Sequence, residues 1–173
     1  TQSLHDGPAA GPVMAMLDTK DGRVLVATNE GLCRFDGTSL SPPLRTGPIR
    51  RLARDEGGGV WAVGPEGLVH LVGDQLRRVL EGTPQHALGV ERQGVVWLAN
   101  DEGVVRHEER PWMRVVDAAE SMTFAVLPTG GGGAWVSSVA GLFRYQRSGD
   151  ATRMEASGRP VPAIYSMSRA PDG

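Results

Sequence analysis

Four stretches of this chain carry the same punctuation, and that repeat constrains the fold more than any other feature. Residues 21–37 read DGRVLVATNEGLCRFDG, 58–73 read GGVWAVGPEGLVHLVG, 93–109 read QGVVWLANDEGVVRHEE and 131–146 read GGGAWVSSVAGLFRYQ. A turn glycine recurs at Gly22, Gly58, Gly94 and Gly132, at intervals of 36, 36 and 38 residues. Three residues later stand Leu25, Trp61, Trp97 and Trp135, so three of the chain's four tryptophans share one column. Six positions further on comes a second glycine, at Gly31, Gly67, Gly103 and Gly141, followed by Leu32, Leu68, Val104 and Leu142.

Each unit reads as short strands. An apolar segment comes first (13–17, 49–53, 87–90, 124–127), then a glycine turn suited to a hairpin because glycine accepts positive φ. A β-rich run follows (24–28, 60–63, 95–99, 134–137), and the second glycine opens a third strand (32–35, 68–72, 104–107, 142–146). A weaker fourth strand is expected at 40–44, 75–80, 112–116 and 151–155. No window sustains a 3.6-residue apolar period with caps, which predicts almost no helix. The chain's 24 glycines and 12 prolines supply the turn chemistry that many short strands need. Four antiparallel strands in about 36 residues is the form of a β-propeller blade, so the predicted class is all-β. Inner strands of a blade meet a neighbour on both faces and so read as continuous apolar runs, as 24–27 and 95–99 do. The tryptophan column is expected to fill the space between blades, burying about 150–250 Å² per ring, and not to offer a stacking platform to a ligand.

The succession of turn glycine, tryptophan and Gly-Leu-x-Arg-Phe/Tyr resembles the two-component regulator propeller repeat. Residues 21–37 and 131–146 match it best, with Leu25 standing where the aromatic usually does. The resemblance covers residues 13–173, and NHL-type repeats and those of streptogramin lyases share the short core. It implies seven-bladed propellers, usually two in tandem, in the periplasmic part of bacterial membrane-bound sensors whose output is a hybrid histidine kinase or a diguanylate cyclase. On that basis the chain is expected to be a periplasmic, non-enzymatic sensor module, any kinase or cyclase activity lying in a domain outside it. Its expected partners are the remaining blades, a membrane-linked output domain and a second copy of itself. Blades are expected at about 13–48, 49–85, 86–121 and 122–163, with the start of another at 164–173 and residues 1–12 as the tail of a preceding one. Seven blades at this period need about 260 residues, so part of a larger ring is expected.

Composition removes several functions. A net charge of −2 with 22% charged residues gives no basic footprint for nucleic acid. Nothing approaches the apolar run of a membrane span, no stretch reads as a signal peptide, and no membrane insertion by this segment is expected. Cys33 stands alone, so neither an intrachain disulfide nor a cysteine metal site is available. The histidines His5, His70, His86 and His107 lack metal-ligand spacing. The glycines at 130–133 lack the Lys-Ser/Thr of a phosphate loop, and no G-x-S-x-G elbow occurs. No catalytic residue, metal or cofactor is expected.

Three columns remain. Arg34, His70, Arg106 and Arg144 recur three residues after the second glycine. They form either a ring for an anionic ligand or, more in keeping with mid-strand positions, bridges to backbone carbonyls and acids of a neighbouring blade. Glu30, Glu66 and Glu102 precede the same glycine and read as solvated turn residues. Eight residues before each turn glycine the chemistry varies: Met14, Arg50, His86, Phe124 and, in the fifth unit, Tyr165, with Arg51 and Gln85 beside them. These positions open the innermost strand at the mouth of the channel, where propellers usually bind. Aromatic, basic and imidazole groups there suit a small polar ligand such as a glycan. The rival readings are a protein-interaction scaffold with an exposed apolar patch on the same ring face, and an enzyme similar to streptogramin lyases, with a metal and His86 as base.

Overall fold

In the computed structural model, the structure describes residues 11–91, 94–107, 113–117, 122–129, 131–146, 148, 150–156 and 158–168. Among them every regular element is a β-strand. The chain divides into two compact units at Gln85 and His86.

In the first unit, β1 (Val13–Asp18), β2 (Val24–Thr28) and β3 (Leu32–Phe35) form an antiparallel sheet in chain order. A second sheet holds β4 (Arg51–Arg54), β5 (Val60–Gly64), β6 (Gly67–Val72) and β7 (Gln75–Glu81), again in chain order. The fourth strand expected at 40–44 is reduced to two isolated bridges, Phe35 with Leu40 and Leu32 with Leu44. Pro42 and Pro43 lie between them and have no N–H for a ladder. In the second unit, β8 (Ala87–Val90), β9 (Val96–Asn100), β10 (Gly103–His107) and β11 (Met113–Asp117) form one sheet. The other contains β12 (Thr123–Pro128), β13 (Ala134–Ser138), β14 (Gly141–Tyr145) and β15 (Ala151–Arg153). A small hairpin, β16 (Glu155–Ala156) and β17 (Arg159–Pro160), follows. Trp112, at the start of an expected fourth strand, lies outside the described residues. The sheets are antiparallel meanders with the form of propeller blades.

Both glycine columns have a geometric cause. The turn between the first two strands is closed by the same bond in each sheet: Thr19 N–H to Arg23 O (2.7 Å), Asp55 to Gly59 (2.9 Å), Glu91 to Val95 (2.8 Å) and Thr129 to Gly133 (3.0 Å). That turn places Gly22, Gly58, Gly94 and Gly132 at φ between +78° and +90°, which L side chains resist. The second column combines positive φ with close approach. A Cβ on Gly31 would stand 2.3 Å from Leu44 O, and one on Gly67 2.2 Å from Leu80 O, because the outer segment crosses directly over the glycine.

Within each unit the two sheets pack face to face through the tryptophan column. In the second unit Trp97 is fully buried in one cluster with Val126, Ala134, Val136 and Tyr145 of the neighbouring sheet. Its indole N–H donates to Glu91 Oε1 at 2.6 Å, so the ring carries no unsatisfied donor into the core. In the first unit the equivalent residue is Leu25, clustered with Val60 and Leu71 of the second sheet. By register these correspond to Ala134 and Tyr145, each two residues after the turn glycine or four after the second glycine. A second cluster, Ala27, Leu32, Ile49, Ala62 and Val69, continues the same interface.

Trp97→Ala would leave a hole among residues held on all sides. It is expected to cost about 3–5 kcal/mol in urea unfolding. Burial, and then the charge of Glu30, push the Cys33 thiol up, and burial does the same to the Tyr145 phenol. The unfolded chain therefore ionises first, near the ordinary values of about 8.5 and 10. The stability that these groups contribute is complete below those values and falls as pH rises through them. Urea midpoints compared at pH 7 and pH 10 should show that fall, and a thiol reagent at pH 7 should label Cys33 only as fast as the fold opens.

Candidate functional site

The varied column opens the first strand of each sheet, and in the first and fourth sheets it sits at a β-bulge. In the first sheet the register passes from Val13 with Thr28 to Ala15 with Ala27, so Met14 is the extra residue. In the second, Arg51 pairs with Val63 while the Arg50 N–H also reaches Val63 O, at 2.7 Å. In the third, Ala87 pairs with Ala99 while the His86 N–H bonds Ala99 O at 2.8 Å. In the fourth, the pairing passes from Thr123 with Ser138 to Ala125 with Ser137, leaving Phe124 as the extra residue. A bulge places two residues opposite one and re-aims a side chain out of the ladder's alternation, which is why bulges recur beside binding sites.

The segment entering the first strand is tied to the preceding sheet. Ile49 N–H donates to Thr28 O (3.0 Å), Gln85 N–H to Gly64 O (3.2 Å) and Ile164 N–H to the Ser137 hydroxyl (2.6 Å). Each donor immediately precedes a column residue, so Tyr165 is anchored as Arg50 and His86 are.

In the second unit the structure brings Phe124 and Tyr165 together, ring centroids 4.7 Å apart and tilted by 48°. Tyr165 remains 71% exposed, an accessible aromatic face on a backed ring. His86 Nε2 lies 2.8 Å from Asp101 Oδ1. A carboxylate only accepts, so Nε2 donates and a neutral ring carries its lone pair on Nδ1. In the first unit Met14 and Arg50 are exposed. Gln85 is buried, and its side-chain amide donates to Thr83 O at 3.0 Å.

The basic column serves packing instead. Each member stands opposite the tryptophan column in register: Arg34 with Leu25, His70 with Trp61, Arg106 with Trp97 and Arg144 with Trp135. The Arg106 and Arg144 guanidiniums lie 5.8 and 5.7 Å from the indole centroids. His70 stacks on Trp61 at 3.9 Å and holds Asp55 at 2.8 Å. Arg34 alone faces leucine, and its guanidinium reaches the Asp74 carboxylate and the Gly73 carbonyl of the second sheet.

Opposite the bulge end of the first unit, at the tips of its β1–β2 and β6–β7 turns, lies an open cleft of about 320 Å³. Leu25, Val60 and Leu71 form its apolar part, and Lys20, Arg34 and Asp74 stand on its rim. The varied column pointed to the other end, and only the break in the tryptophan column at Leu25 marked this place. Among the described residues no three His, Cys, Asp or Glu side chains gather as a metal would require.

No protein-family model matches the sequence, and no curated protein matches it. Solved structures show the fold to be that of β-propeller proteins. The extracellular domain of a hybrid two-component system from B. thetaiotaomicron superposes with a TM-score of 0.76 at 13% identity, over 93% of this chain and 25% of that one. The extracellular domain of a one-component system from the same organism gives 0.70 at 16% identity, over 86% and 22%. A gluconolactonase from Xanthomonas campestris gives 0.69 at 13% identity, over 90% and 64%. The chain thus spans about a quarter of the length of the sensor chains and under two thirds of the lactonase. No helix among the described residues is long and apolar enough to cross a membrane.

Tyr165 and Arg50 are exposed and lie outside the strands. Tyr165→Ala and Arg50→Ala are each expected to change unfolding free energy by less than about 1 kcal/mol, read from urea curves.

Proposed function

We propose that this chain is the ligand-binding part of the extracytoplasmic input module of a bacterial signal-transduction protein, and that its ligand is a carbohydrate. The observation that carries the reading is the varied residue that opens each first strand. Four sheets keep one framework while that residue differs in each, which is how one scaffold acquires a recognition surface. Likeness to extracellular domains of two-component and one-component systems supports a sensor. Within the second unit the side chains suit a sugar: Tyr165 backed by Phe124 offers a flat apolar face, and His86 supplies a hydrogen-bonding group of the kind that hydroxyls require. On this reading the module is periplasmic, acts as a homodimer, and passes its signal to a membrane-linked output domain of the same protein.

A panel of soluble oligosaccharides screened by thermal shift on the whole chain tests this. A ligand at about 100 times its Kd stabilises the fold by about 2.7 kcal/mol, a rise of several degrees. At least one glycan should do so, and His86→Ala or Tyr165→Ala should weaken it at least about ten-fold, the loss of one good hydrogen-bonded or stacked contact. Stabilisation by no glycan, or unaltered binding in both variants, would overturn the carbohydrate assignment.

The enzyme reading has one observation in its favour, the His86–Asp101 pair, which holds an imidazole as a general base is held. Likeness to a gluconolactonase makes a lactone the substrate to try. Turnover that His86→Ala abolishes would establish that reading in place of the sensor.

A further inference from the structure

The cleft of the first unit lies where the second unit keeps a tryptophan. Trp97 lies between its own sheet and the next, against Ala134 and Tyr145, beneath the Arg106 guanidinium, with Glu91 accepting its N–H. Every one of those positions has a counterpart in the first unit. Leu25 stands for Trp97, Val60 and Leu71 for Ala134 and Tyr145, Arg34 for Arg106, and Thr19 for Glu91, and all five line the cleft. The walls and the polar group at the edge are kept, the cation lines the cleft while bonded to Asp74 and the Gly73 carbonyl, and the ring is missing. Its space is about 320 Å³, at the small end of the roughly 300–1,000 Å³ that small-molecule sites occupy.

We propose that this slot binds a small planar aromatic acid, whose ring takes the place of the absent indole between Leu25, Val60 and Leu71 with Arg34 over its face. A ring quadrupole attracts a guanidinium lying over it, and the basic column already makes that contact at Trp97 and Trp135. The charges at the mouth specify the acid. Arg23 pairs with Asp21 at 3.7 Å and Arg34 with Asp74, which leaves Lys20 as the third cation lining the cleft. The Lys20 amine donates one hydrogen bond to Glu56 O, leaving two of its three donors for a ligand carboxylate. The site is at the opposite end of the sheets from the varied column, and the proposal does not depend on the sensor reading.

Calorimetric titration of the whole chain with indole-3-acetate, and with cyclohexylacetate as a saturated acid of similar reach, tests it. Indole-3-acetate should bind with Kd below about 1 mM, and cyclohexylacetate about ten-fold more weakly for want of the ring quadrupole. Leu25→Trp should supply the missing ring in cis. Its circular dichroism should be unchanged, its Tm higher and its affinity for indole-3-acetate at least about ten-fold lower. Arg34→Met, which keeps the aliphatic cover and removes the cation, should also weaken binding about ten-fold, and it decides the matter if Leu25→Trp does not fold. Equal binding of the two acids, undiminished binding to a folded Leu25→Trp chain, or no binding at roughly 10 mM would overturn the proposal. Binding of a tryptophan-containing peptide but not of the free acid would overturn the small-molecule assignment. Because the readout is occupancy of the Leu25 slot, failure here leaves the carbohydrate reading standing, and the reverse.

Discussion

The contact on which each pair of sheets depends is made by a single side chain, the residue three places after the turn glycine. Facing sheets stack about 10 Å apart, too far for backbones to touch and too close for water, so something rigid and apolar must span the gap. Trp97 does this most completely, with its donor satisfied and a guanidinium over its face. The cross-strand partner follows from that choice. An aromatic ring on one strand makes a cation opposite it favourable, and the basic column is therefore a consequence of the tryptophan column and not an independent site. Where the ring becomes Leu25, the partner Arg34 turns to Asp74 and Gly73, and a cleft opens.

The two ends of a sheet obey different constraints. At the first hairpin, four turns share one closing bond and a glycine near φ +80°, so that end varies little in backbone. At the other end the segment entering the first strand is tied to the preceding sheet, and one residue per repeat departs from the shared columns. The ties use backbone N–H groups of Ile49, Gln85 and Ile164, which any residue but proline supplies.

The repeat columns carried the all-β class directly, because glycine at positive φ and tryptophan between sheets are demands that few other residues meet. Strand positions followed from the same columns, except where Pro42 and Pro43 broke the fourth strand of the first sheet into two bridges. Apolarity alone marked residues 40–44 as a strand, and it takes no account of missing N–H groups. The bulges were not legible, since an extra residue in one strand leaves its letters unchanged and appears only in the pairing. The partners of the basic column were half legible: bridging to a neighbouring sheet describes Arg34, while Arg106 and Arg144 lie over indoles in their own sheets. The cleft was marked by a single departure, Leu25 in a column of tryptophans, which reads as a conservative exchange until the opposing wall is known.

The residue that opens the first strand gives its backbone to the sheet, while its side chain lies outside the columns that the repeats share. Met14, Arg50, His86 and Phe124 therefore differ in size, charge and aromaticity while the pairing around them stays the same. Such a position is open to selection for recognition. Duplicating a repeat copies a stable sheet together with one blank letter, so a lineage with this architecture explores new specificities one residue per copy, without passing through unfolded intermediates in sequence space.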